Sequence, residues 1–148
     1  TRGSLNAAEI DEIRSHVTHT INFLSQIPWG KSFSNVVRLA GAHHEKLDGS
    51  GYPAGLVDEQ IPFRSKIMTI ADIYDSLTAS DRPYKKAKTL SEAIRIMSFM
   101  CKDGHICPDL FALFLRSGVY LDYARAHLSP EQIDAVDVAQ YLGAAGKV

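Results

Sequence analysis

The stretch Phe63-Arg64-Ser65-Lys66-Ile67-Met68-Thr69-Ile70-Ala71-Asp72-Ile73-Tyr74-Asp75-Ser76-Leu77 follows Pro62 and reads as a helix that is apolar on most sides. A helix of that kind is buried at the centre of a bundle, so an all-α, multi-helix architecture is expected around it. Upstream, Asn6 and Glu9 have the form of a capping box. Beyond them Ile10, Ile13, Val17, Ile21 and Leu24 recur at helical spacing until Gln26-Ile27-Pro28 interrupts them. A second helix is expected from Phe33, Val36, Val37 and Ala40, whose stripe continues through His43 and His44 to Leu47. The run Asp48-Gly49-Ser50-Gly51-Tyr52-Pro53-Ala54-Gly55 then breaks it, because glycine supplies unusual φ angles and proline fixes one. Downstream, Thr89 with Glu92 makes another capping box, for a helix to about Met100. Pro108 starts a short helix that ends before Gly118, and Ser129-Pro130-Glu131-Gln132 opens a last one to about Leu142. No segment alternates with period two for long enough to build a sheet, and Gly143-Ala144-Ala145-Gly146-Lys147-Val148 is expected to fray.

Composition narrows the function classes. The 148 residues carry 16 Lys+Arg against 17 Asp+Glu, a net charge of −1, with 45% hydrophobic and 22% charged residues. That balance describes one globular domain with a core and excludes disorder for most of the chain. No apolar run reaches the roughly 18–20 residues of a membrane span, and there is neither a signal-type segment nor a starting Met. A soluble piece of a longer protein, without membrane contact of its own, is the expectation. The absence of a basic stripe argues against binding DNA or RNA polymers, so any anionic ligand must be captured locally. Cys101 and Cys107 are too few for a disulfide framework and are not spaced as a CxxC metal pair, so two packed thiols in a reducing cytoplasm are expected.

Helical geometry sorts the six histidines. At about 100° per residue, His16 falls about 300° from Ile13, between the apolar positions of the first helix, whereas His19 falls away from the stripe. His43 and His44 occupy neighbouring core-facing positions of the second helix. A single inward histidine is ordinarily satisfied by backbone or carboxylate groups; an adjacent pair is harder to satisfy in this way. Asp72 adds a carboxylate within a nearly all-apolar helix, which is costly unless a cation or strong donors compensate it. A metal ion compensates all four. His16, His43, His44 and Asp72 are a nitrogen and oxygen ligand set suited to zinc, iron, manganese or nickel. Asp75 shares the helix and fits a supporting or helix-end contact, and His105 and His127 lie in polar or turn contexts that suit surface histidines.

The run His43-His44-Glu45-Lys46-Leu47-Asp48-Gly49-Ser50-Gly51-Tyr52-Pro53, followed by Ile70-Ala71-Asp72-Ile73-Tyr74-Asp75 and Asp81-Arg82-Pro83-Tyr84-Lys85, resembles the HD-GYP subgroup of the HD phosphohydrolases. The resemblance covers roughly residues 4 to 115, and the segment 119–148 is similar to the family's variable tail only loosely. It implies one helical domain over 1–148 and hydrolysis of cyclic di-GMP, to the linear dinucleotide and onward to GMP, by a centre of two or three metals that activates water. By position, the resemblance makes His16, His43, His44 and Asp72 metal ligands, the set that helix geometry selects independently. It places Gly51-Tyr52-Pro53 beside the substrate and gives Arg82 and Lys85 the guanine and phosphate contacts. Chemistry agrees with these roles, since the planar fork of arginine suits a guanine edge and lysine suits phosphate as a point charge. Tyr52 fits either stacking on a base or packing against its loop.

The eponymous His-Asp pair, with its nearby lysine, belongs upstream of His16, and no His precedes that residue here. Asp11 lies at the wrong spacing to replace it. A domain cut before that pair is therefore expected, with hydrolysis weak or absent in the piece alone and an apolar groove open to dimerisation or helix exchange. In the parent protein an N-terminal receiver or sensor module is the expected partner. Two other readings are a nucleotide-sensing or interaction module without turnover, and a hydrolase of another cyclic dinucleotide.

Overall fold

The computed structural model describes residues 7–79 and 87–142. Among these residues the chain forms seven α-helices and three short 3₁₀ turns, and strand pairing is limited to an isolated antiparallel bridge between Asp48 and Val57. The all-α expectation holds. The chain divides into two compact units, Thr1–Ser65 and Lys66–Val148.

In the first unit α1 (Ala7–Ser25) packs against α2 (Val36–Gly41). Val17 is fully buried, and a Cβ on Gly41 would lie 2.9 Å from Ile21 Cδ1, so the glycine permits the close approach of the two helices. The indole N–H of Trp29 donates to the Leu24 carbonyl at 2.8 Å beyond the end of α1. The Asn6 capping box, the side chains of Ile10, Asp11 and Ile13, and the segment 143–148 lie outside the described residues. α2 is shorter than its periodicity suggests, because it does not run on to Leu47. The Ala40 carbonyl, which a continuing helix would bond to the backbone, instead accepts the His43 ring N–H at 2.6 Å.

The second unit takes up most of α3 (Phe63–Thr78), then α4 (Leu90–Lys102), α5 (Pro108–Arg116), α6 (Val119–His127) and α7 (Ala139–Leu142). Its core gathers Ile70, Tyr74, Leu90, Ile94, Met97, Ile106, Leu110, Phe111, Leu115 and Tyr120. The Thr89–Glu92 capping box forms as expected, with the Thr89 hydroxyl accepting the Glu92 N–H. Three expectations need correction. α3 is not buried on all sides: Thr69, Ile70, Tyr74 and Thr78 are buried, but Ile67 and Met68 are 46% and 40% exposed and Ala71, Asp72 and Asp75 lie at the surface. The last segment is a 3₁₀ turn, Pro130–Gln132, then irregular chain and the short α7. There the Gln132 amide donates to the carbonyls of Thr78 and Lys88 at 2.8 and 3.0 Å, which ties the segment to distant backbone instead of to its own helix. α6 is an additional helix, entered through Gly118 at φ 75°, a conformation suited to glycine, and buried on Tyr120 and Ala124.

Candidate metal centre

Glu45 organises the loop that follows the histidine pair. Its side chain is 2% exposed, and its two oxygens accept the N–H groups of Ala54 and Leu56 at 2.7 and 2.9 Å. A buried carboxylate needs strong donors, and here the loop's own backbone provides them. The Tyr52 N–H donates to the His44 carbonyl at 3.2 Å and the Asp58 N–H to the Leu47 carbonyl at 3.1 Å, closing both ends. Gly51 fits where no side chain would: a Cβ would lie 2.3 Å from Lys46 N and 2.5 Å from Glu45 Cα. Asp48 accepts the Ser50 N–H at 2.9 Å, and that bond holds its carboxyl below the usual carboxylate range. Glu45 lies inside the motif His43–Pro53 but carries no role in the resemblance. An acidic residue directly between a histidine pair and a glycine-rich loop was the available signal.

On this frame the imidazoles converge. His16, from α1, places Nε2 3.1 Å from Nε2 of His44, with the rings edge-on at 5.0 Å and 89°. The rings of His43 and His44 lie 4.1 Å apart. One nitrogen from each of the three residues falls within 4.8 Å of the others, a group that could hold a metal ion. The bond from His43 Nδ1 to the Ala40 carbonyl fixes the tautomer and leaves Nε2 as the lone-pair donor, the outer contact that metal-bound histidines ordinarily make. His44 stacks on the Tyr52 ring at 5.0 Å and 13°, and Arg14 Cζ lies 5.5 Å from the centre of that ring. The His16–His44 spacing fits a metal in geometry too. Nitrogens bound at roughly 2.0–2.1 Å lie about 2.9 Å apart at a right angle and about 3.4 Å apart at the tetrahedral angle. The observed 3.1 Å lies between these.

The other sequence-derived residues are placed differently. His16 is exposed and His43 and His44 are half-buried, so none of them enters the interior fully. α1 turns Val17 into the core and leaves His16 on its flank, while α2 ends before the pair. Asp72, on the part of α3 in the second unit, is exposed, and the expectation that burial forces it onto a cation does not hold. Asp75 accepts the Tyr123 hydroxyl, tying α3 to α6 and pushing the Tyr123 pKa up. Arg82 and Lys85 lie outside the described residues. His105 is half-buried, and exposed His127 lies 4.6 Å from the Tyr123 ring. Cys101 and Cys107 are both free, and burial pushes the Cys101 thiol up to about 12.

A family model described as an HD domain matches residues 1–110. The chain belongs to the HD-domain family. Its histidine pair and Gly-Tyr-Pro loop make it an HD domain of the HD-GYP type. This HD domain is 41% identical over 110 residues to a 3'3'-cGAMP-specific phosphodiesterase 3 of Vibrio cholerae, covering 74% of this chain and 23% of that protein. It is 37% identical over 119 residues to a cyclic di-GMP phosphodiesterase of Pseudomonas aeruginosa, covering 80% and 28%. A cyclic di-GMP phosphodiesterase response regulator of Xanthomonas campestris is 50% identical over 56 residues, 38% of this chain and 15% of that protein. The chain thus spans less than a third of the length of each of these relatives. Among the described residues no helix is long and apolar enough to cross a membrane.

Proposed function

We propose that this HD domain supplies the three-histidine part of a metal-dependent phosphodiesterase centre that opens a cyclic dinucleotide, cyclic di-GMP, within a longer protein. The observation that carries the reading is the convergence of His16, His43 and His44 beside a Gly-Tyr-Pro loop, with His43 pre-set to present Nε2. Iron, manganese, zinc or nickel, as two or three ions, would lower the pKa of a water nucleophile and neutralise phosphoryl charge. The chain's own work is positional. The Ala40 carbonyl orients His43, the Tyr52 ring orients His44, and Glu45 fixes the loop through backbone donors. Gly51-Tyr52-Pro53 then borders the substrate. The response-regulator name of the Xanthomonas relative favours a receiver module in the longer protein.

Phosphodiesterase names among the relatives favour turnover over sensing alone. Those that specify 3'3'-cGAMP support a second reading, with the mixed cyclic dinucleotide as substrate. The test is to load the full-length protein with each metal and measure hydrolysis of both nucleotides side by side. Wild type should convert one of them to a linear product, and His44→Ala should lose both bound metal and turnover. A His44→Ala protein that keeps full metal content and full activity overturns the reading.

A further inference from the structure

Arg14 lies on α1 near the histidine group, and neither the family motif nor the helix stripe draws attention to it. Its guanidinium carbon is 5.5 Å from the centre of the Tyr52 ring, and that ring stacks on His44, whose Nε2 is 3.1 Å from Nε2 of His16. The residue is exposed. A guanidinium at that distance over an aromatic ring is attracted by the ring's negative face, and its five N–H donors allow a fork-type contact with an oxyanion. A long side chain fixed this way also loses less entropy on binding than one free in solvent.

We propose that Arg14 is a substrate-binding residue of the histidine site, gripping the non-bridging oxygens of the phosphodiester while Tyr52 serves as its platform. This rests on the functional reading above, and it gives Tyr52 a second task beside orienting His44. Arg14 is distinct from Arg82 and Lys85, which the family resemblance assigns to the substrate.

The test uses the metal-loaded full-length protein with Arg14→Gln and Arg14→Lys. Glutamine is a good helix former at an exposed position, so the fold should survive. Inorganic phosphate binding, measured by calorimetry, should weaken about ten- to a hundredfold in Arg14→Gln, the range expected for losing a charged hydrogen-bond pair. Arg14→Lys should recover part of it, and metal content should stay at the wild-type level in both. With the cyclic dinucleotide, KM should rise by a similar factor while kcat changes less. Wild-type phosphate binding in Arg14→Gln overturns the proposal, as does a loss of metal that parallels the loss of binding, which would make Arg14 a support for the histidines. Failure of wild type to bind phosphate at all also overturns it. A wild-type protein that binds phosphate in an Arg14-dependent way yet turns over neither nucleotide would instead sink the phosphodiesterase reading and leave the Arg14 assignment standing.

Discussion

The loop after the histidine pair and the core of the second unit are held in opposite ways. In the loop, a carboxylate that is 2% exposed accepts two backbone N–H groups, and a glycine sits where any Cβ would strike main chain at 2.3–2.6 Å. In the core, Leu90, Ile94 and Met97 are fully buried side chains with no polar atoms to satisfy. The polar tie there is the Tyr74 hydroxyl on the Tyr120 carbonyl at 2.7 Å. Polar bonds contribute little net stability but fix position, whereas apolar packing contributes most of the stability and tolerates rearrangement. The site therefore depends on geometry supplied by a few groups, and the fold depends on area supplied by many.

The strongest break of this contrast comes from swapping its two ends. His43→Ala and His44→Ala should each reduce bound metal to less than about a tenth of wild type, since losing one nitrogen from a three-imidazole group leaves too few ligands. Both residues are half-buried, so the urea midpoint of the metal-free protein should move little. Ile94→Ala should do the reverse, costing about 2–5 kcal/mol by urea denaturation while the protein that remains folded binds metal normally. If Ile94→Ala emptied the site at temperatures where the protein is folded, the two regions would not be separable in this way.

Glu45 gives a sharper and smaller test, because it is a buried group whose function is position. Glu45→Ala leaves the Ala54 and Leu56 N–H groups without their acceptor and should cost about 2–4 kcal/mol. Hydrogen exchange should rise across residues 46–56. Glu45→Gln keeps one accepting oxygen and should recover roughly half of the loss. A glutamine variant no better than alanine would show that negative charge, and not the pair of acceptors, holds the loop.

These cases also show what a sequence discloses. The Thr89–Glu92 box, the Pro108 start and the Gly118 stop are signals confined to a few neighbouring residues, and each is found where the pattern puts it. The α6 stripe of Tyr120, Ala124 and Leu128 is legible in the same way. The expected continuation of α2 to Leu47 fails because periodicity does not register a ring taking a backbone carbonyl, as His43 does from Ala40. Residues 129–142 failed as one helix for a longer-range reason. Gln132 and Asp134 bond to Thr78, Lys88 and Ser91, partners that no local window contains. At the site, an adjacent histidine pair was visible at once, and its approach to His16 followed from packing α1 on α2. The burial expected for Asp72 did not, because an apolar composition does not reveal how many faces of a helix meet a neighbour.

Asp134 carries the smallest effect and tests the same distinction at the surface. Its oxygens accept the Ser91 N–H at 2.8 Å and the Ser91 hydroxyl at 2.5 Å, fastening the segment after the Pro130–Gln132 turn to the start of α4. Desolvation pushes the carboxyl up, but the Ser91 bonds outweigh it and hold the pKa below the usual range. A folded-state pKa below the unfolded one means that the unfolded chain takes up the proton first. The stabilisation is then present above the ordinary pKa of about 4 and fades as pH falls through the depressed value. Asp134→Asn mimics the protonated group, so it should cost about 0.5–1 kcal/mol at pH 7 in urea titrations. The gap to wild type should narrow steadily below about pH 4. A gap that stays constant down to acid pH would mean that the carboxylate's shape, and not its charge, ties this segment to α4.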